Sequence, residues 1–201
     1  MPSSHSSNSV ILQLSSILDR INPVSIFHNS HPLEVELGSG DGSFLVKYAA
    51  NHPDRNFIGV ERLLGRIRKM DRKAQRAALI NLRGVRIESS YFLEWLLPAR
   101  SVGALHIYFP DPWPKRKHWA RRLINARFPQ LAAQALALGG MVYLRTDNKE
   151  YYAQMLEVFN AYHFFRSVAT PQELAELKTD FEEEFHAQNI PTLRAAYKYE
   201  E

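Results

Sequence analysis

The sequence predicts an α/β domain in which a mostly parallel sheet of seven strands carries helices on both faces. Short β-prone segments alternate with helical segments along most of the chain, and glycine-rich or proline-rich turns follow two of these segments. Strands that alternate with helices are joined by right-handed crossovers, which place parallel strands side by side. With 201 residues, 45% of them hydrophobic, the chain is long enough for one domain with a buried core.

Seven β-prone segments are predicted as strands, and the last of them is expected to pair at the edge of the sheet. The first ends in a glycine-rich turn, the fourth is closed by a proline-rich turn, and Gly139 and Gly140 precede the fifth. In chain order the predicted strands are Leu33–Leu37, Asn56–Val60, Val85–Glu88, Ala104–Phe109, Met141–Arg145, His163–Val168 and Leu193–Tyr199.

Four segments between these strands are predicted as helices. Pro53 stops the first, the second is basic and amphipathic, and Pro129 breaks or bends the third. The predicted helices are Phe44–His52, Leu63–Leu79, Trp119–Leu138 and Tyr151–Tyr162. We expect residues 1–22 to form an N-terminal arm, with Met1–Asn8 as a loose tail, and residues 23–201 to form a single domain.

The composition excludes several classes of protein. The chain has no cysteine, which excludes disulfides and thiolate metal sites, and its histidines show no spacing typical of metal ligands. No apolar run approaches the roughly 20 residues that a membrane helix needs. The first nine residues contain no Lys or Arg, unlike the start of a secretory signal. We therefore expect a cytoplasmic protein without a membrane or metal partner.

Positive charge is segregated along the chain, which has a formal net charge of +4. Between Arg62 and Arg86 there are nine Arg or Lys residues and one acid, Asp71, and a second basic cluster runs from Lys115 to Arg127. Such segregation focuses positive potential and would steer a phosphate backbone to this part of the surface. Charge alone leaves open the alternative that these residues are only the solvated faces of helices.

The turn after the first strand has the spacing of a nucleoside site without phosphates. Glycines at Gly38, Gly40 and Gly42 allow a tight turn and close approach of a ligand to the backbone. The dinucleotide fingerprint requires a glycine at the position of Ser43, and Glu36 would repel a pyrophosphate but attract an ammonium or sulfonium group. This disfavours the alternative of a nicotinamide-dependent reductase.

Two further loops complete the predicted site for a nucleoside cofactor. Glu61 ends the second strand, where a carboxylate can accept both hydroxyls of a ribose. After the third strand, Ser89, Ser90 and Tyr91 stand where an Asp often accepts from the adenine amino group, and a serine hydroxyl or a backbone carbonyl could replace that Asp.

The proline-rich loop Phe109–Lys115 combines a rigid backbone, aromatic faces and one carboxylate, Asp111. A base can stack on such faces, and the cations that follow the loop suit a phosphate backbone. A rigid turn with a capping aspartate is the alternative, although it would not predict the basic cluster behind the loop.

These motifs together resemble the bacterial tRNA (guanine-N7)-methyltransferase family, over roughly residues 27–199. The resemblance rests on Glu36–Gly42, Ile58–Glu61, Phe109–Lys115 with His118, Arg121 and Arg122, Thr146–Asp147 with Tyr151, and Thr179–Glu182. It implies the Rossmann-like fold of the class I methyltransferases that use S-adenosylmethionine. It also implies methyl transfer to N7 of a guanine in the variable loop of tRNA, which gives 7-methylguanosine. We expect a monomer or weak homodimer.

The resemblance implies roles for individual residues, with Asp111 as the catalytic residue. The expected cofactor contacts are Glu36, Gly38, Gly40, Gly42, Glu61, Ser90, Tyr91 and Asp111, and the expected substrate contacts are Lys115, Asp147, Thr179, Asp180, Phe181 and Glu182. In our hypothesis Asp111 supplies a negative field beside the methyl group, Asp147 or Glu182 accepts from the guanine edge opposite N7, and Lys115 holds a phosphate.

The sequence departs from the family pattern at three places, and those near Tyr91 and Asp180 motivate a second reading. The family Asp on the adenine side falls near Ser90 or Tyr91, a Lys is common where Asp180 stands, and the N-terminal arm is short and serine-rich. A nucleic-acid-binding module that has lost catalysis is the alternative, although Glu36, Glu61 and Asp111 are retained.

Overall fold

The computed structural model describes residues 9–201, and the predicted tail Met1–Asn8 lies outside the described residues. Seven strands form one sheet, as predicted. The strands are β1 (Leu33–Leu37), β2 (Asn56–Glu61), β3 (Leu82–Arg86), β4 (Val102–Tyr108), β5 (Leu136–Thr146), β6 (Phe165–Val168) and β7 (Leu193–Tyr199). Their order is β3-β2-β1-β4-β5-β7-β6, with β1 to β5 parallel and β7 antiparallel to both of its neighbours. The prediction that the last strand pairs at the edge of the sheet is wrong, because β7 inserts between β5 and β6 and leaves β6 at the edge.

Eight α-helices accompany the sheet within the described part of the chain. They are α1 (Pro23–Phe27), α2 (Ser43–Asn51), α3 (Leu64–Arg76), α4 (Ser89–Tyr91), α5 (Phe128–Ala135), α6 (Lys149–Asn160), α7 (Gln172–Glu176) and α8 (Asp180–Ala187). A π-helical turn, Phe92–Leu96, continues α4, and a 3-10 helix, Arg116–Arg121, precedes α5.

The predicted helix Trp119–Leu138 is wrong in its bounds, because α5 covers only the middle of it. Pro129 lies in the first turn of α5, where its missing N–H costs nothing, so it starts the helix and does not bend it. β5 begins at Leu136, before the two glycines, and its pairing with β4 shifts register between Val102 and Ala104. The glycines therefore lie within an irregular strand and do not mark the end of a helix.

The core lies on both faces of the sheet. Every residue of β1 and β2 is buried, as expected of central parallel strands covered on both sides. The described part of the predicted N-terminal arm lies along the outer edge of β3. There the Leu12 N–H donates to the Gly84 carbonyl at 2.9 Å, and the Gly84 N–H donates to the Val10 carbonyl at 2.9 Å. These bonds cover an edge that would otherwise expose unpaired backbone groups.

The sheet has its switch point between β1 and β4, because the chain turns to β2 on one side and to β5 on the other. Ligands of open α/β sheets bind outside the carboxyl ends of the strands at this point. Among residues 9–201, no helix is long and apolar enough to cross a membrane.

Candidate active site

A cleft opens at the carboxyl ends of β1 to β4. Its larger part is a cavity of about 310 Å³, and a smaller one of about 60 Å³ shares Gly38, Tyr108 and Phe109 with it. The larger cavity is lined by Leu37, Gly38, Glu61, Arg62, Leu63, Arg66, Glu88, Ser89, Ser90, Tyr108, Phe109, Pro110, Asp111, Trp113, Arg121 and Leu123. The smaller one adds Glu36, Ser39, Gly40, Asp41, Ser43, Phe44, Thr179, Asp180 and Phe181.

The glycine turn forms part of the wall between the two cavities. Gly38, Gly40 and Gly42 all have positive φ, at +85°, +57° and +76°. A Cβ at Gly38 or Gly40 would meet no heavy atom within 4 Å, so the space over these two residues is open to a ligand. A Cβ at Gly42 would overlap the side chain of Met70, so glycine is needed there for α3 to pack against the turn. The structure therefore separates two glycines that face the cleft from one that packs a helix.

Glu36 lies beneath this turn with an unsatisfied carboxylate. It is 3% exposed, and its Oε2 atom has no hydrogen-bond partner among the described residues; the same holds for the buried Oγ of Ser39. Burial raises the pKa of Glu36 to about 8; the positive charge of Arg145 lowers it, and the negative charges of Asp41 and Glu61 raise it further. A buried carboxylate without a partner fits a cationic hydrogen-bond donor.

Glu61 reaches the larger cavity from the end of β2. Its Oε1 accepts the Leu63 N–H at 2.8 Å, and its Oε2 lies 3.6 Å from Nη1 of Arg66. One oxygen is thus fixed by the backbone, while the other has, within the described part of the chain, a single long ion pair with a half-exposed arginine. The carboxylate of Glu61 therefore keeps lone pairs that can accept hydrogen bonds from two hydroxyls of a ligand.

The end of β3 corrects one expected contact and adds a residue. Ser90 lines the cavity, but the Tyr91 hydroxyl donates to the Ile17 carbonyl at 2.8 Å, so this side chain turns toward the N-terminal arm and does not reach the cavity. Glu88 lines the cavity instead, and its Oε2 caps α4 by accepting the Tyr91 N–H at 2.8 Å. The sequence pattern could have predicted Glu88 as a site residue, because Glu88 lies just after β3 in the way that Glu61 lies at the end of β2.

The proline-rich loop holds Asp111 and Trp113 at the opposite wall of the larger cavity. Phe109 and Trp113 adopt positive φ angles of +50° and +44°, which are strained for side chains other than glycine. Oδ1 of Asp111 accepts the Trp113 N–H at 3.1 Å, so the carboxylate also braces the turn, although it does not cap the following helix, whose N-cap residue is Lys115. Its other oxygen accepts no hydrogen bond from residues 9–201, and the side chain is exposed.

A buried arginine fixes the loop from behind. Nε of Arg122 donates to the Pro112 carbonyl at 2.7 Å, and its two terminal nitrogens donate to Gln154 at 2.5 Å and Glu150 at 3.1 Å. The guanidinium carbon also lies 4.5 Å from the ring centroid of Trp119. Because the surroundings fix the loop in this way, they can maintain its strained backbone.

Two expected substrate contacts lie outside the cavity walls. Lys115 is exposed just before the 3-10 helix, and Asp147 is half-exposed just after β5. Asp147 does not cap the following helix, because Asn148 does so by accepting the Tyr151 N–H at 2.8 Å. The carboxylate of Asp147 is therefore not used by that cap.

The segment Thr179–Phe181 closes the smaller cavity from above. Asp180 accepts a hydrogen bond from Ser43, the residue after the glycine turn. The half-exposed ring of Phe181 lies 6.2 Å from that of Phe109 in the proline-rich loop. The start of α8 therefore joins the two loops that sequence reasoning predicted separately.

Glu182 does not face the cleft, which corrects its predicted contact with guanine. It is fully buried, and its Oε2 accepts from Arg145 at 2.6 Å and from the Thr179 N–H at 3.0 Å, while its Oε1 accepts from Arg194 at 2.7 Å. Burial opposes ionisation, but Arg145, the Thr179 N–H and Arg194 outweigh it and lower the pKa of Glu182. Because the side chain is fully buried among these donors, its carboxylate does not reach a base in the cleft. Arg145, which sequence reasoning assigned no role, instead binds this segment.

The site as a whole presents carboxylates at the ends of three adjacent strands and a fourth on a rigid loop. The smaller cavity, whose charged lining residues are Glu36, Asp41 and Asp180, suits the cationic end of a nucleoside, because these carboxylates would repel a phosphate there. Among residues 9–201, no group of three His, Cys, Asp or Glu side chains could hold a metal ion together.

The fold is that of methyltransferases. It is similar to the crystal structure of the 16S rRNA methyltransferase KamB, with a TM-score of 0.66 and 16% identity over 88% of this chain and 92% of that one. It is also similar to precorrin-6y C5,15-methyltransferase from Geobacter metallireducens, with a TM-score of 0.57 and 11% identity over 89% of this chain and 86% of that one. At these identities the likeness concerns the fold alone.

A family model described as "Putative methyltransferase" matches residues 30–195. The chain is 36% identical to the tRNA (guanine-N(7)-)-methyltransferase of Sodalis glossinidius, over 79% of this chain and 69% of that protein. It is 38% identical to the protein of that name from Aeromonas hydrophila, over 69% of this chain and 58% of that protein. The chain belongs to the tRNA (guanine-N(7)-)-methyltransferase family. The aligned region covers 55% of the length of the relative from Syntrophotalea carbinolica and 70% of the length of the relative from Geobacter metallireducens.

Proposed function

We propose that this protein transfers a methyl group from S-adenosylmethionine to N7 of a guanine in the variable loop of tRNA, giving 7-methylguanosine. One observation carries the proposal: Glu36, buried with an unpartnered oxygen, lies beside two open glycines and within the same cleft as Glu61. Membership of the family supplies the reaction and the class of substrate.

The residues of the cleft fit the proposed cofactor, which supplies an electrophilic methyl group. Glu36 would accept from its ammonium group, and the open backbone at Gly38 and Gly40 would lie along its chain. Glu61 would accept from the ribose hydroxyls. Either Glu88 or Ser90 would accept from the adenine amino group, since both line the larger cavity.

In this reaction the protein has to orient the base and stabilise charge, and it does not have to transfer a proton before the attack. N7 of guanine already carries a lone pair, so no base has to remove a proton before attack. Asp111 would stabilise positive charge as it moves onto the purine, and Trp113 would offer a face for the base. The rigid loop that carries both residues would hold the base in line with the methyl group.

Recognition of the substrate would use the groups around this loop. Asp147, whose carboxylate is not used by the helix cap, would accept from the guanine edge opposite N7. Thr179, Asp180 and Phe181 would contact the nucleotide from above, and Lys115 would hold a phosphate. Glu182 would act only by positioning this segment, through its buried contact with Arg145.

Mass spectrometry of tRNA nucleosides tests the proposal. Unmodified tRNA incubated with the protein and S-adenosylmethionine should gain 7-methylguanosine, and tRNA incubated without the cofactor should not. Calorimetry on the same preparation should show that the cofactor binds. Binding of cofactor and tRNA without any 7-methylguanosine would favour the alternative of a binding module, and binding of a reduced nicotinamide would favour a reductase.

The cytoplasmic location and the monomeric or weakly dimeric state stay predictions. Gel filtration with light scattering would determine the oligomeric state.

A further inference from the structure

Helix α3 carries four basic side chains that have no acidic partner among the described residues. Arg68, Lys69, Arg72 and Arg76 are all exposed. Within residues 9–201, none of these four has a carboxylate within 4.0 Å, whereas Arg66 and Lys73 of the same helix pair with Glu61 and Asp41. The helix therefore has cations with local partners and cations without them. Arg68, Arg72 and Arg76 lie on a different side from the paired set, and Lys69 lies between the two sets.

Helix geometry places the unpaired cations opposite the core. The buried side of α3 is made by Ile67, Met70 and Ala74. At about 100° per residue, Arg68, Arg72 and Arg76 fall on the side facing away from these three. They follow one another at intervals of four residues, which is about 6 Å along the axis. A row with this spacing can meet successive phosphates of one nucleic-acid strand.

The single acid of this helix does not neutralise the row. Asp71 accepts the Val10 N–H at 2.8 Å and the Ser9 hydroxyl at 3.1 Å through one oxygen, and the Gln75 amide at 2.9 Å through the other. Its carboxylate is thus occupied with the N-terminal arm and with its own helix. One negative charge offsets at most one of the four cations, so the outward side keeps a net positive potential.

The row starts near the active-site cleft and leads away from it. Arg62, Leu63 and Arg66, at the start of α3 or just before it, line the larger cavity. From there the thirteen-residue helix extends about 18 Å along the face of the sheet. A strand whose base enters the cavity would have neighbouring phosphates within reach of this helix.

The partner that this surface fits is an RNA backbone. A helix that binds an anionic membrane needs a free apolar side beside its basic one, but the apolar side of α3 is buried in the core. We propose that the outward side of α3, namely Arg68, Lys69, Arg72 and Arg76, is a phosphate-binding track for the RNA whose guanine is methylated. This inference rests on the proposed function and adds the surface that holds the substrate.

The salt dependence of tRNA binding tests the track. Each phosphate contact contributes about 0.9 to the slope of log K against log salt. The triple variant Arg68→Gln, Arg72→Gln, Arg76→Gln should therefore lower that slope by about 2 to 3 and weaken tRNA binding ~10- to 100-fold near physiological salt. Its affinity for S-adenosylmethionine should equal that of the unchanged protein. The single variant Arg72→Gln should lower the slope by about 0.9, which keeps the test valid should the triple variant fold poorly.

A matched variant removes the same charge elsewhere. Arg100→Gln, Arg166→Gln, Lys198→Gln changes three cations that pair with Glu201 or Glu200, away from the cleft, and should leave the slope unchanged. If the unchanged protein and both α3 variants give equal slopes in a preparation that forms 7-methylguanosine, the phosphate-binding track is refuted and the proposed function is not. A preparation that forms none overturns the proposed function. Loss of binding to anionic phospholipid vesicles, with the tRNA slope unchanged, would overturn the track in favour of a membrane.

Discussion

Glu36 shows most clearly how a single residue can serve binding at the expense of stability. The folded protein buries its carboxylate without a complete set of partners, and this raises its pKa to about 8. A carboxylate in that state disfavours the folded form above the pKa of the unfolded chain. The proposed ligand would reverse this effect by supplying a cationic donor, so binding and stability should respond to this residue with opposite signs.

We expect Glu36→Gln to stabilise the ligand-free protein while weakening cofactor binding. Loss of the buried charge should raise the free energy of unfolding at pH 8 by roughly 1–3 kcal/mol. Loss of the charged hydrogen bond should weaken S-adenosylmethionine binding by roughly 10- to 100-fold. Urea titration and calorimetry would measure the two effects. A variant that is both less stable and unable to bind would indicate damage to the fold instead.

The role of Asp111 is tested by an isosteric change. Asp111→Asn keeps the acceptor that braces the Trp113 N–H, but it removes the negative charge from the cavity wall. The rate of methyl transfer at saturating substrates should fall by about 100-fold or more, with cofactor affinity almost unchanged. Single-turnover assays would show this. A rate within a few-fold of the unchanged protein would mean that Asp111 only shapes the loop.

At the scale of elements, two buried arginines hold the segments that carry the site. Arg122 binds the carbonyl of Pro112 in the proline-rich loop, and Arg145 binds Glu182 at the start of α8 and the Leu177 carbonyl at 3.0 Å. Neither segment is a regular strand of the sheet, so its position depends on these contacts. The arginines thus connect the rigid sheet to the loops where chemistry is proposed.

Arg145→Met should both destabilise the protein and displace α8. Glu182 would remain buried with one cation fewer, at a cost of about 3–5 kcal/mol in unfolding free energy. The KM for tRNA should rise because Asp180 and Phe181 lose their support. Urea titration and steady-state assays would measure both effects. Arg166→Met is the matched control, since its pair with Glu200 is exposed and its loss should change little. Equal effects of the two variants would contradict the role given to Arg145.

At the scale of the whole molecule, buried carboxylates of opposite behaviour set the pH dependence of stability. Burial opposes the ionisation of Glu34, but hydrogen bonds and charge from His106 and Arg55 outweigh it and lower the pKa of Glu34. Glu182 behaves in the same way with Arg145 and Arg194. Stability from these two groups is present above an unfolded pKa of 4.5 and is lost as pH falls through the folded pKa. Stability from Glu36 is complete below 4.5 and is lost as pH rises to about 8.

These groups predict a ligand-free protein that is most stable near pH 5, with a decline on both sides. Urea titrations from pH 3 to 9 would show the profile. In Glu36→Gln the decline between pH 5 and 8 should largely disappear, while the acid side should persist. An unchanged profile in that variant would contradict the assignment of the alkaline decline to Glu36.

Local pattern was enough to predict most of the fold. The alternation of strands and helices gave the seven-stranded sheet, and the glycine turn, Glu61 and the proline-rich loop were placed correctly at its carboxyl edge. Each of these features depends on the residue types and on their position relative to a strand end. The bounds of α5 were wrong because Pro129 can bend a helix or begin one, and only packing decides between the two.

By itself the sequence determined the fold class, the family resemblance and the cleft residues that follow directly from strands, namely Glu36, Gly38, Glu61 and Asp111. Only the tertiary structure decided that Tyr91 turns to the arm while Glu88 faces the cavity, and that Glu182 is bound by Arg145 and Arg194. The physical reason is that a side chain's partners across the fold are separated from it by tens of residues. A motif fixes which groups are available, and packing fixes which of them remain free to bind a ligand.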